Sequence, residues 1–325
     1  MRLRLNVDEP FSLDLTMMPS FVSSMYVGCY GGTWVKVVGV LGGLLELRQE
    51  KPNVLMVKCG LEDADFVAEI VKLEAGLWHK PFEDFINGLP FRDVLIRLAE
   101  AYPGVRVPIA PHDFSCILIA VALSRRTSYE RFVLEWCRRL WRLYGCNLEA
   151  ISKLSLDEFR AVGSSYQVLQ LKEILSSFRG IEVSDLFRLN PYVVRRRLLS
   201  TVKFFGPKAV DSLILSTFKA SDFMPCDTHL YTVASRLGLV NAEDTLMPQK
   251  ELCTKYACTV AISNAIGAPL CPRRGKCLRA KLSWLREVGG WLQTIAYIHG
   301  SKICRERKPL CSRCSVRGIC QYLKA

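Results

Sequence analysis

Cys304, Cys311, Cys314 and Cys320 fall within CRERKPLCSRCSVRGIC, seventeen residues near the C-terminus, interleaved with Arg305, Arg307, Lys308, Arg313 and Arg317. The C-x6-C-x2-C-x5-C spacing lets one compact loop aim all four sulfurs at a common centre. Thiolates in fours suit iron-sulfur clusters or zinc. Structural zinc sites usually pair two short C-x2-C units across a longer gap. A single C-x2-C flanked by one cysteine on either side favours a four-iron cluster, with zinc and disulfides within the loop as the alternatives.

The remainder of the chain bounds what such a loop can serve. Half of the 325 residues are apolar, enough for two or three domains with a proper core. The longest apolar run, around Val37 to Leu45, is broken by Gly39, Gly42 and Gly43 and is far short of a membrane span. MRLRLNVDEPF lacks an apolar stretch followed by a small-residue cleavage site, so an intracellular, cytoplasmic protein is expected. Fourteen cysteines in such a chain point to metal ligation, with the intracellular disulfides of a hyperthermophile as the alternative. A formal charge of +13 suits an acidic partner such as nucleic acid or an anionic surface.

Residues 1–104 read as a β-rich domain. FSLDLTM, TWVKVVGV, LLELRQ and VLMVKCG are short apolar or alternating runs, the last two forming a hairpin across EKPN. DADFVAEIVKLEAGLW then reads as a helix with Asp63 as its N-cap and Phe66, Val67, Ile70 and Leu73 on one stripe. PGVRVPIAP, with three prolines in nine residues, is the expected linker, and from about Asp113 onwards the pattern is helical. The fold class is therefore mostly α with a β-rich N-terminal part. Cys29, Cys59, Cys116, Cys137 and Cys146 sit in apolar company and are expected in the core.

The cysteine spacing resembles that of endonuclease III and its relatives in the helix-hairpin-helix glycosylase superfamily, in which a [4Fe-4S] cluster shapes a basic loop that lies on the DNA backbone. The likeness extends upstream. In LLSTVKFFGPKAVDSLILSTF, residues Leu199, Val202, Phe205, Val210 and Leu213 supply the apolar face of two short helices, and Gly206-Pro207 the turn between them. Such a helix start can hold a phosphate through backbone N–H groups. The family's hairpin carries two glycines two residues apart, and the first is Phe204 here. Lys208 stands where bifunctional members carry their catalytic lysine. In the first helical turn the macrodipole disfavours positive charge, which lowers the amine's pKa and frees it to attack a sugar C1′. Downstream, MPCDTHLYTVASRLGLV resembles the family's aspartate-Thr-His segment, with Asp227 as the residue that supports charge and proton movement; an N-cap role for it is compatible.

LIAVALSRRTSYERFVLEWCRRLWRLYG is similar to the family's preceding helix pair, with Arg125-Arg126 in place of its glutamine-rich step. Either arginine is expected to fill the hole left by a flipped base or to contact phosphate. The resemblance thus implies residues 105–225 as a helical domain with its hairpin at about 197–217, and 226–325 as a C-terminal helical domain closed by the loop 304–320. Lys208 and Asp227 are the expected catalytic pair. Arg125, Arg126, Phe205, Gly206, Arg305, Arg307 and Lys308 are the expected contacts to double-stranded DNA containing a damaged base. The implied activity is base excision by a monomeric, nucleoid-associated DNA glycosylase with AP lyase activity. The first hundred residues resemble loosely the β-domain of 8-oxoguanine and 3-methyladenine glycosylases, hence an oxidised base. A monofunctional glycosylase for alkylated or mismatched bases and a non-catalytic DNA-binding relative are the alternatives. An apparent insertion at about 240–280 holds Cys253, Cys258, Cys271 and Cys277, read first as a disulfide pair or buried free thiols and alternatively as a second metal site.

Overall fold

The computed structural model describes residues 1–29 and 32–323, with the side chain of Cys29 outside the described residues. Five antiparallel strands, β1 (Arg2–Asn6), β2 (Tyr26–Cys29), β3 (Thr33–Lys36), β4 (Leu45–Lys51) and β5 (Val54–Cys59), form a sheet in the order β1-β5-β4-β3-β2. The expected hairpin is β4–β5, in which Leu47 pairs with Val57 and both are buried. FSLDLTM departs from expectation. Its alternation suggests a strand, yet Leu13–Met17 is a helical turn capped by Ser12, whose hydroxyl accepts from the Leu15 N–H at 3.3 Å. Leu13, Thr16 and Met17 are its buried residues, and that i, i+3, i+4 spacing belongs to a helix.

Helix α1 (Ala64–Glu74) begins at Asp63, whose carboxylate accepts from the Phe66 N–H at 3.0 Å, and buries Val67, Ile70, Val71 and Leu73. PGVRVPIAP is not an exposed linker. Residues 104–110 are buried, the Ile109 N–H donates to the Leu73 carbonyl at 3.0 Å and the Ala110 N–H to Ser216 at 2.8 Å, so this stretch is stitched to both halves. The same seam is closed by charge. Lys36, wholly buried on β3, donates to Glu74 at 2.5 Å and to Asp113 at 2.6 Å. Asp113 also accepts from the Val40 N–H at 2.7 Å. That approach needs Gly39, whose φ is +82° and whose Cβ would lie 2.2 Å from the Asp113 carboxylate. Burial, partly offset by Lys36, pushes the Glu74 carboxyl up to about 7.

Helix α2 (Phe114–Leu123) is apolar on nearly every side and runs through the middle of the helical part, where such a helix must lie. It packs against α4 (Pro207–Thr217), which in turn meets α3 (Pro191–Thr201), while α5 (Thr228–Arg236) and α6 (Gly289–Lys302) pack on each other. Helix α5 lies against α6 at Gly300, where a Cβ would stand 2.9 Å from the His229 side chain. Among the described cysteines all thiols are free; Cys59, Cys116 and Cys137 are buried, and Cys146 is half-buried. Among the described residues no helix is long and apolar enough to cross a membrane.

Candidate active site

The hairpin is built by two starts and a stop. Asn190 caps α3 by accepting from the Tyr192 N–H at 2.9 Å, with Pro191 in the first turn. The chain leaves α3 at Val202 and re-enters α4 through Gly206, with Pro207 as the first helical residue. Leu199, Val202, Phe205, Val210 and Leu213 all face the core. Phe204, at the place of the missing glycine, takes a left-handed backbone at φ +59° and is 44% exposed. Phe205, expected to touch DNA, is fully buried, so its side chain belongs to the hairpin's apolar face and Phe204 is the ring presented to solvent. Phe205 thus keeps the place on the apolar face that its helical spacing predicts and not the expected contact to DNA.

Lys208 is the second residue of α4 and projects into a cavity of about 380 Å³ whose lining also includes Asp227, His229, Glu130 and Tyr297. Burial pulls the Lys208 ammonium below its ordinary value, and the carboxylate of Asp227 partly restores it. Asp227 has a second engagement, because it caps α5 by accepting from the Leu230 N–H at 2.8 Å. Burial, reinforced by the charges of Glu130 and Asp227, pushes the Tyr297 hydroxyl well above its usual range. His229 meets Tyr297 edge-on, ring centres 5.3 Å apart, as a packed residue of the wall.

One wall of this cavity comes from the stretch between the Leu13–Met17 turn and β2, which no sequence motif marked. Pro19, Ser20 and Phe21 line it, and the Phe21 ring centre lies 5.7 Å from Lys208 Nζ. The segment is held by Tyr129, whose hydroxyl donates to the Ser20 carbonyl at 2.9 Å and whose ring meets Phe21 edge-on at 5.2 Å. These contacts span more than a hundred residues of chain, so no local spacing announces them.

The two arginines of the 125–126 step part company. Arg125 donates to the Ala122 carbonyl at 2.8 Å and to Gln170 at 2.9 Å, and its guanidinium lies 5.5 Å from the Phe204 ring. Its side chain is committed to holding the helix end and the hairpin tip. Arg126 is exposed, with a left-handed backbone at φ +53°.

Cys304, Cys311, Cys314 and Cys320 line one small cavity at the C-terminus, and Arg305, Arg307, Lys308, Arg313 and Arg317 are exposed around it. Among the described residues no three ligand side chains converge closely enough to hold a single metal ion. Four thiols lining one cavity are a donor set that suits an iron-sulfur cluster or zinc. Arg236, on α5, anchors the loop by donating to the carbonyls of Arg305 at 2.8 Å and Glu306 at 3.0 Å and to Cys304 Sγ at 3.4 Å. A cation and N–H donor against a ligand sulfur is the kind of outer partner such clusters use. His299 bridges Tyr102, 2.7 Å away, and Cys314 Sγ at 3.7 Å. Burial pushes this imidazole down to about 4.

No family profile matches the sequence. The endonuclease III of Sulfolobus acidocaldarius is 28% identical over 127 residues, a match covering 39% of this chain and 44% of that protein, so the chain spans less than half the length of that relative. The endonuclease III of Rickettsia felis is 27% identical over 111 residues, 39% of its length. In fold, the chain is similar to the Clostridium acetobutylicum 8-oxoguanine glycosylase/lyase, solved with double-stranded DNA containing cytosine opposite 8-oxoG: TM-score 0.65, 13% identity, covering 90% of this chain and 93% of that one. It is similar also to the 3-methyladenine DNA glycosylase of Archaeoglobus fulgidus, with TM-score 0.62, 15% identity and coverage of 92% and 98%. With its hairpin leading into Lys208 and an aspartate-capped helix across the cavity, the chain is thus similar in fold to these two DNA glycosylases and similar in sequence, over about two fifths of its length, to endonuclease III.

Proposed function

We propose that the protein is a base-excision DNA glycosylase with AP lyase activity, acting on an oxidised base, 8-oxoguanine being the leading candidate. The observation that carries this reading is that Lys208 and Asp227 face one cavity, with the amine biased towards its free form. The free amine attacks C1′ of a flipped nucleotide as the glycosidic bond breaks. The bonding electrons leave with the base, which takes up a proton, and the new ammonium passes a proton to Asp227. The nitrogen lone pair then expels O4′, which takes up a proton as the sugar ring opens, and the resulting Schiff base lets the C2′ proton be removed and the 3′ phosphate leave. Phe21, Tyr297 and His229 supply the walls between which the base is held, and Arg126 is the side chain free to enter the gap left in the stack.

When bound, a [4Fe-4S] cluster would be held by Cys304, Cys311, Cys314 and Cys320 and would supply rigidity rather than bond chemistry. Exposed Arg305, Arg307 and Lys308 then meet backbone phosphates, as do the first N–H groups of α4 beyond Gly206. Borohydride trapping on a panel of duplexes, each with one lesion, tests the proposal. A covalent adduct on an oxidised base, lost in Lys208→Gln, is expected. Base release with no adduct would make the protein monofunctional, with water as nucleophile. Salt-sensitive DNA binding without release from any lesion would remove the enzymatic reading.

A further inference from the structure

Cys253, Cys258, Cys271 and Cys277 also surround one small cavity, in the insertion between α5 and α6. Backbone contacts fix their places. Cys271 N–H donates to the Ala257 carbonyl at 2.9 Å, and Leu246 brackets Cys277, its N–H donating to the Lys276 carbonyl at 2.7 Å and its carbonyl accepting from the Leu278 N–H at 2.9 Å. All four thiols are free and half-buried. From Leu246 to Cys277 the only buried residues are Ala257 and Ala268. Two alanines are no core, and a segment of this size without one needs a staple. The C-terminal loop shows the same deficit, with only Val316 and Cys320 buried between Cys304 and Leu323.

We infer that the insertion holds a second four-iron, four-sulfide cluster, ligated by Cys253, Cys258, Cys271 and Cys277. As at the C-terminus, the four thiols line one cavity in a stretch that lacks an apolar core of its own. Each thiol gives up its proton on ligation, and the cluster's energy of binding becomes folding energy for the insertion. What it braces is the hairpin. Arg196 of α3 donates to the Thr254 carbonyl at 3.0 Å and to Ile266 at 3.4 Å, and Lys250 donates to the Val202 carbonyl, where α3 ends, at 3.2 Å. Between Cys271 and Cys277, exposed Arg273, Arg274 and Lys276 repeat the pattern of cations on a cysteine-shaped loop.

The inference stands apart from the glycosylase reading, and its test reads metal, not activity. The full chain, isolated without oxygen and reconstituted with ferrous iron and sulfide, is expected to hold about eight iron and eight sulfide, as two four-iron clusters require. Cys304→Ser/Cys311→Ser and Cys253→Ser/Cys271→Ser should each halve that content and keep visible charge-transfer absorption. Hydrogen exchange in 246–277 should rise only in the second. About four iron in the unaltered chain, all lost in Cys304→Ser/Cys311→Ser, would overturn the inference. So would zinc without sulfide, no iron at all, or disulfides among these four cysteines in the intact mass. If either double variant fails to fold, the iron and sulfide content of the unaltered chain decides.

Discussion

Asp227 does two things at once, and asparagine separates them. Its carboxylate accepts from the Leu230 N–H at 2.8 Å and shares a cavity with Lys208. Asparagine caps a helix nearly as well as aspartate, so Asp227→Asn should change stability by only a few tenths of a kcal/mol, whereas Asp227→Ala should cost about 1 kcal/mol. In a chain of this size that is roughly 2 °C in Tm. The charge, in contrast, is lost in both variants. If Asp227 takes a proton during the attack, single-turnover base release should fall at least ~100-fold, or about 2.7 kcal/mol, in Asp227→Asn. A second signature has a definite sign. Burial lowers the Lys208 pKa and Asp227 raises it, so removing the carboxylate lowers it further. The acid limb of borohydride trapping against pH should therefore move to lower pH, even as the maximal rate drops. A wild-type rate with an unmoved limb in Asp227→Asn would refute the catalytic role and leave only the cap.

Phe205→Ala should cost about 3–5 kcal/mol in denaturant unfolding because the ring is fully buried. Phe204→Gly should leave stability unchanged or raise it by about 1 kcal/mol, by relieving a left-handed non-glycine backbone, while weakening DNA binding in a titration. The Glu74 carboxyl is raised from 4.5 to about 7, so its contribution to stability is fully present below 4.5 and lost as pH rises through 7. Glu74→Gln should flatten the change in unfolding midpoint between pH 5 and 8. Neutralising Arg305, Arg307 and Lys308 one at a time should each reduce the slope of log K against log salt by about 0.9 for double-stranded DNA, if each meets a phosphate.

What could be read from the sequence was local. Gly206-Pro207 marks a helix start wherever it occurs, Asp63 and Asp227 announce caps, and LLELRQ-EKPN-VLMVKC pairs with itself. Reading failed where two local signals conflict or where the partner is distant. FSLDLTM alternates like a strand, but Ser12 can cap and five residues are too few for the periods to separate. Phe205 is expected both on the apolar face and against DNA, two roles one ring cannot fill, and burial decides for the first. Arg236 lies 68 residues before the cysteine it serves, and Tyr129 109 residues after the serine it holds. Neither spacing has a pattern to detect. PGVRVPIAP carries the composition of a linker, yet residues 104–110 are buried and hydrogen-bonded to Leu73 on one side and Ser216 on the other.

The wall built by Ser20 and Phe21 belongs to a stretch that shares no turn with the hairpin, though it stands beside the amine. Changes there can reshape what fits the cleft while Lys208 and its acid stay as they are. Under the proposed chemistry, substitutions at Pro19, Ser20 or Phe21 would then alter which base is accepted and leave the attacking amine in place.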